Sequence, residues 1–256
     1  TLILRRRRST RQPATSPCHT LVTMDLAELT ENFAIPGILA FEATPTGLIY
    51  ATITTPAARA TIYLEGAHVA HWQPTGEDPV IFLSRKAEFA PGKPIRGGVP
   101  VIFPWFGARH DGKPGPSHGF ARIQPWTLAF AALSGEDLHL TFTLAPTEMS
   151  RNLGFDSFRL AYKVTIGRTL TLQLTVANDS ATPLVFEEAL HTYYAVADVH
   201  ETTVTGLDAV TYLDKTDHFA PKVQHGPVTI TSQTDRVYQN TTATCVLPSG
   251  FVVGPS

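Results

Sequence analysis

The sequence predicts an all-β protein of antiparallel strands arranged as a sandwich or barrel. Three observations predict it. Runs that alternate apolar and polar residues recur about every 10 residues from position 48 to 233. Gly, Pro, Asn or Asp stands at the breaks between them, and Thr, Val, Ile and Leu fill them. No long segment carries a 3.6-residue period, and no repeat of 20–50 residues is visible.

Taken in order, "DLAELTENF" (25–33) reads as one short helix. The strands then follow: "LIYATITT" (48–55), "RATIYLEG" (59–66), "HVAHWQP" (68–74), "PVIFLS" (79–84) and "VPVIFPWFG" (99–107). "WTLAFAAL" (126–133), "DLHLTFTLAP" (137–146), "FRLAYKVTIG" (158–167), "TLTLQLTVAND" (169–179) and "PLVFEEALHTYYAV" (183–196) continue the series. "TTVTGL" (202–207) and "PVTITSQ" (227–233) complete it. Residues 86–119 are the one long irregular stretch, rich in Gly and Pro, and loops of that length on a β scaffold carry function.

Composition narrows the function classes. Hydrophobic residues make up 43% of the 256, enough for a sizeable core, while charged residues are only 16%. The net charge of −2 is unevenly spread: without the five arginines of residues 1–23, 15 basic residues face 22 acidic ones. The body is mildly acidic, so no nucleic-acid partner is expected. No apolar run reaches the roughly 18 residues of a membrane span. The two cysteines, Cys18 and Cys245, form no CxxC or Cys/His cluster, so neither metal nor cofactor is expected, and the setting reads as a reducing cytoplasm. Residues 1–23 lack an initiating Met and any acid; they read as a non-native or disordered extension, with Met24 as a natural start.

Four stretches carry candidate chemistry. "PIRGGVPVIFPWFG" (94–107) sets Arg96 before Gly97 and Gly98, which permit positive φ and close backbone approach; the fork of Arg96 suits a phosphate or vicinal hydroxyls. A loop-capping arginine is the plainer alternative. In "PSHGFAR" (116–122), His118, Phe120 and Arg122 share a face if the segment is extended. "ALHTYY" (189–194) ends a strand with His191, a residue suited to proton transfer near neutral pH, or else a buried structural histidine. Glu187, at i−4, is a poor partner for it. "TDRVYQN" (234–240) offers Asp235 as an acceptor for hydroxyls or an orienter of arginine, or simply as a charge beside Arg236. Phe103, Trp105 and Phe106 lie in a strongly apolar run and read as core, which argues against a row of exposed aromatics for polysaccharide.

"IRGGVPVIFPWFG", "HGFAR", "ALHTYY", "GLDAVTYLDK" and "DRVYQNTT" in that order resemble the D-hexose-6-phosphate mutarotases of the aldose 1-epimerase, or galactose mutarotase-like, superfamily. The resemblance runs from about residue 35 to about 247. It implies an antiparallel β-supersandwich, a single domain over 24–256, and interconversion of the α and β anomers of a hexose 6-phosphate by acid/base ring opening. It implies that His191 is the general acid and that Arg96, His118 and Asp235 bind substrate; Arg122 is added because it would share a face with His118. The implied partner is a small sugar phosphate, and the expected state is a cytoplasmic monomer.

One departure stands out. The family's general base is a late-strand glutamate, and no Glu occurs after Glu201. The expectation is a chain incomplete at its C-terminus, with the base absent. The alternatives at this point are a non-catalytic sugar-phosphate-binding module and an epimerase of unphosphorylated aldoses.

Overall fold

The structure, a computed structural model, describes residues 24–247 and 254 in full and residues 5–9 and 252–253 as backbone. The reading of residues 1–23 as an extension, and Cys18 with it, otherwise lies outside the described residues. The chain divides into two compact units, residues 6–194 and residues 195–256 with 1–5. Each is described by itself.

The first unit runs β1 (Arg5–Ser9), α1 (Leu26–Phe33), β2 (Leu39–Ala43), β3 (Ile49–Thr54), β4 (Ala58–Tyr63), β5 (His68–Pro74) and β6 (Val101–Ile102). It continues with β7 (Thr127–Ser134), β8 (Asp137–Leu144), α2 (Glu148–Asn152), β9 (Phe158–Ile166), β10 (Leu170–Asn178) and β11 (Leu184–Leu190). Two four-stranded antiparallel sheets, β2-β3-β4-β5 and β10-β9-β8-β7, form its body, and a smaller sheet is ordered β1-β11-β6.

Alternation in the sequence becomes alternation in burial. Leu138, Leu140, Phe142 and Leu144 of β8 are buried, as are Phe158, Leu160, Tyr162, Val164 and Ile166 of β9. The register sets Leu140 against Val164 and Phe142 against Tyr162, so apolar side chains meet as cross-strand pairs. Trp72 on β5 donates its indole N–H to the Gly167 carbonyl at 3.1 Å, which ties the first sheet to the β9–β10 turn. The helix at 26–33 forms where expected because Asp25 and Glu28 build a reciprocal capping box.

Three segments differ from expectation. "VPVIFPWFG" forms a strand only at Val101–Ile102, because Pro100 and Pro104 have no N–H to offer a ladder. "PVIFLS" supplies only isolated bridges at Ile81 and Leu83, and β11 stops at Leu190. The short α2 was not anticipated; its signal is Thr147, which caps it with Ser150 at the third position. Phe103, Trp105 and Phe106 are buried, as their apolar run predicted. Phe103 packs among Phe120, Phe155, Phe158 and Phe186 at centroid distances of 5.4–6.5 Å.

The second unit holds β12 (Thr203–Val204), β13 (Thr211–Asp214), β14 (Ala220–Val223), β15 (Val228–Thr229), β16 (Arg236–Tyr238), β17 (Cys245–Val246) and β18 (Val252–Val253). Its sheets are ordered β14-β13-β16, β12-β15 and β17-β18. Leu207, Tyr212, Val228, Tyr238 and Cys245 make its core. The strands expected at 202–207 and 227–233 shrink to two residues each, while β13, β14 and β16 carry the main sheet.

Candidate functional site

The backbone of "IRGGVPVI" runs antiparallel beside "ALHTYY". Ala189 pairs with Ile102 and Leu190 with Val101; the His191 N–H then donates to the Pro100 carbonyl at 3.0 Å and the Tyr193 N–H to the Gly98 carbonyl at 2.9 Å. On its other side the Gly98 N–H donates to the Phe82 carbonyl, and Phe82 N–H donates to the Tyr193 carbonyl. This three-way lacing needs backbone without side chains. A Cβ on Gly97 would lie 2.6 Å from the Phe82 carbonyl oxygen, and one on Gly98 would lie 2.2 Å from His68 Nε2. Both glycines hold positive φ, as the sequence suggested.

His191 therefore emerges just past the end of β11, half-buried. Its ring stacks on that of His118 with centroids 5.6 Å apart and planes 24° from parallel. Phe106 stands edge-on to both rings, at 4.5 Å from His118 and 5.7 Å from His191. Tyr193 closes another side of His191 at 5.0 Å. Two imidazoles 73 residues apart in sequence thus share one aromatic-walled site.

His118 is fixed by its turn. Its N–H donates to the Gly107 carbonyl at 2.7 Å, and its Nδ1 accepts from the Gly107 N–H at 3.1 Å. A neutral ring that accepts at Nδ1 carries its proton on Nε2, so the outer edge is a donor. His118 sits at φ 63°, and Arg122 falls on a 3₁₀ turn, Ala121–Ile123, rather than on a strand. The shared-face argument for His118 and Arg122 is therefore wrong in its geometry. Gly119 turns the chain beneath Phe103 before an extended run can form.

Arg122 nevertheless belongs to this neighbourhood by another route. Its guanidinium donates to the Ser117 carbonyl at 2.9 Å, bracing the turn that carries His118, and it interacts electrostatically with Tyr193. Burial lowers its pKa, an effect that Tyr193 opposes. Arg96 is exposed on the loop two residues before Gly98, and its carbonyl accepts from the Ser84 N–H.

Glu187 turns inward instead of pairing with His191. Its Oε2 accepts the Phe106 N–H at 3.0 Å and lies 3.2 Å from His110 Nε2. It thereby holds the backbone of the phenylalanine that walls both site histidines. Asp235 lies in the second unit, where its Oδ2 accepts from Lys215 Nζ at 2.5 Å and its Oδ1 is buried without a partner. Arg236 beside it bonds Gln224 and lies over the Tyr212 ring, so the adjacent-charge alternative for Asp235 does not hold. Sequence reasoning missed His68, which is buried against Gly98; it sits inside an ordinary strand pattern.

The paired histidines and the arginine-bearing turns now stand beside what is known of related proteins. The pattern of the aldose 1-epimerase family matches residues 50–249. This chain belongs to the aldose 1-epimerase family. It is 37% identical over 194 residues to a Salmonella typhimurium protein provisionally named glucose-6-phosphate 1-epimerase, covering 75% of this chain and 64% of that one. An Escherichia coli protein with the same provisional name is 37% identical over 187 residues, covering 72% of this chain and 61% of that one. The chain thus spans a little over three fifths of the length of these curated relatives. A Salmonella typhimurium crystal structure described provisionally as a mutarotase superposes with a TM-score of 0.77 at 33% identity, over 84% of this chain and 71% of that one. A Synechocystis structure at 21% identity shares the fold, with a TM-score of 0.66 over 81% of this chain and 75% of that one. The galactose mutarotase-like, antiparallel β fold expected from sequence is the fold of this family member.

Proposed function

We propose that this chain binds a hexose 6-phosphate and takes part in interconverting its α and β anomers, with His191 as the general acid. The observation that carries this reading is the stacked pair of His191 and His118 within walls of Phe106 and Tyr193. Anomers exchange by ring opening: an acid protonates the ring oxygen as a base removes the proton from O1, rotation about C1–C2 follows, and the ring recloses. His191 is suited to donate and regain a proton near neutral pH. The Nε2–H edge of His118 is suited to hold an adjacent sugar oxygen. An aromatic wall offers the apolar face of a pyranose a dry surface.

Arg122 and Arg96 favour a phosphorylated sugar. A half-buried arginine in a low-dielectric setting bonds phosphate more strongly than an exposed one does. Arg96, on its exposed loop, adds a second fork that can close over the phosphate. Arg96→Ala should weaken glucose 6-phosphate affinity by roughly tenfold, the value of one charge-assisted contact, and leave glucose affinity unchanged. Equal losses for both sugars would remove its phosphate role.

A second reading is a sugar-phosphate-binding module without turnover, which the same histidine pair, aromatic walls and arginines would also serve. Magnetisation-exchange NMR between the anomers of glucose 6-phosphate separates the two. Exchange above the spontaneous rate supports the epimerase; unaccelerated exchange with binding intact supports the module. Absence of both binding and exchange would overturn the sugar-phosphate reading altogether.

A further inference from the structure

Glu187 lies on β11, before His191 on the same chain segment, and its side chain is only 20% exposed. β11 runs along residues 100–104 as an antiparallel ladder. The His191 N–H donates to the Pro100 carbonyl at 3.0 Å, Ala189 pairs with Ile102, and the Glu187 N–H donates to the Pro104 carbonyl at 2.9 Å. Pro104 has no N–H to return. From here the side chain takes over from the backbone: the Phe106 N–H donates to Glu187 Oε2 at 3.0 Å, a charge-assisted bond. Phe106 is buried, where a backbone N–H must be bonded. The same oxygen lies 3.2 Å from Nε2 of His110, whose ring is exposed.

The next N–H along the chain carries the effect onward. The Gly107 N–H donates to His118 Nδ1 at 3.1 Å, and the His118 N–H donates to the Gly107 carbonyl at 2.7 Å. A backbone N–H can only donate, so Nδ1 is the unprotonated nitrogen and the ring proton sits on Nε2. Successive backbone donors, at 106 and 107, thus serve Glu187 and His118. Glu187 joins one strand end to both rings of the pair: His191 follows it on the chain, and His118 hangs from it through Phe106 and Gly107. The Phe106 ring, edge-on to both imidazoles, rides on the same backbone.

We propose that Glu187 is the positioning residue for His118: by holding the Phe106 N–H it aims the Gly107 N–H at His118 Nδ1 and so keeps the Nε2–H edge as the donor offered to the sugar. Glu187 touches no substrate and acts through two residues of backbone. The group held by His118 is a sugar oxygen rather than the phosphate, so the effect is common to phosphorylated and unphosphorylated sugars. The inference rests on the sugar-phosphate reading for its consequence and on the ligand-free protein for its geometry.

The test uses the 256-residue chain and three variants. E187Q keeps an acceptor, E187L fills the space without one, and H110A removes the other partner of Oε2 while leaving both backbone bonds. In the ligand-free protein, ¹⁵N shifts of the His118 ring should report the Nε2–H tautomer in the parent, E187Q and H110A, with the Nδ1–H form appearing in E187L. The Phe106 amide should exchange at least ~tenfold faster in E187L than in the parent, and about threefold faster in E187Q, as loss or weakening of a hydrogen bond to a charged group implies. Titration should show affinity for glucose and for glucose 6-phosphate falling together in E187L, by roughly three- to tenfold, and by less than about threefold in E187Q. A parent in which His118 carries its proton on Nδ1 overturns the proposal, as does an E187L with the parent's tautomer. An H110A or E187Q that behaves like E187L also overturns it, because the effect would then run through the loop or through the charge alone. So does a loss in E187L confined to glucose 6-phosphate, or no loss at all. If the parent binds neither sugar, the functional reading fails and the tautomers still judge Glu187. If E187L does not fold, E187Q decides: faster Phe106 exchange with the His118 tautomer kept supports the proposal, and unchanged exchange overturns it.

Discussion

Burial and the neighbouring Arg122 charge push the pKa of His68 down to about 3, against an ordinary 6.5. Between those values the unfolded chain binds a proton that the folded chain refuses, so His68 stabilises the fold above about pH 6.5 and progressively less as pH falls toward about 3. Urea denaturation at several pH values should show stability declining across this window, and H68Q should decline less steeply; identical slopes would remove His68 from the acid response. His191 carries a different expectation. His191→Ala removes the proton donor but leaves the walls and the arginines in place, so any acceleration of anomer exchange should fall by roughly 10²–10⁴-fold. Glucose 6-phosphate affinity should change only slightly. Unchanged exchange in an accelerating parent would reject the acid assignment.

At the scale of elements, two features hold the site: the glycine-bearing turns and the aromatic layer beneath them. Gly119 has φ +71°, and a Cβ there would lie 2.0 Å from the Phe103 carbonyl oxygen. Gly119→Ala should therefore cost about 3 kcal/mol in urea melts, from left-handed strain plus a clash with backbone that cannot move aside. Gly112 has a similar φ of +73° but open space around it, so Gly112→Ala should cost only about 1 kcal/mol. Equal costs would mean that the turn at 119 relaxes freely. In the β7–β10 sheet, Phe142 is fully buried whereas Phe130 is 50% exposed. Phe142→Ala should lose about 3–5 kcal/mol, and Phe130→Ala within about 0.5 kcal/mol of nothing.

For the whole molecule, the unevenness of the structure sets its dynamics. β8 and β9 are paired on both sides and bury alternate residues along their length, whereas residues 107–117 form an exposed loop held at few points. Native-state hydrogen exchange should be slowest at β8 and β9 and fast through 108–115. Comparable protection in that loop would show that it is packed far more tightly than its exposure indicates.

The long strands were legible because period-two alternation is a local signal: β5, β8, β9 and β10 stand within a residue or two of where the pattern put them. The position of His191 at the end of a strand and the need for glycine at 97 and 98 were legible for the same reason. The order of motifs was enough to mark the family. Tertiary structure alone decided that His191 meets His118, that Glu187 turns to Phe106 and His110, and that Arg122 reaches the site from a 3₁₀ turn. It alone picked out His68, whose residue type and spacing match any strand. Alternation is written by neighbours in sequence, which share one backbone conformation. The pairing of His191 with His118, or of Glu187 with His110, is fixed by sheet register and loop closure between segments tens of residues apart, and no local pattern encodes that.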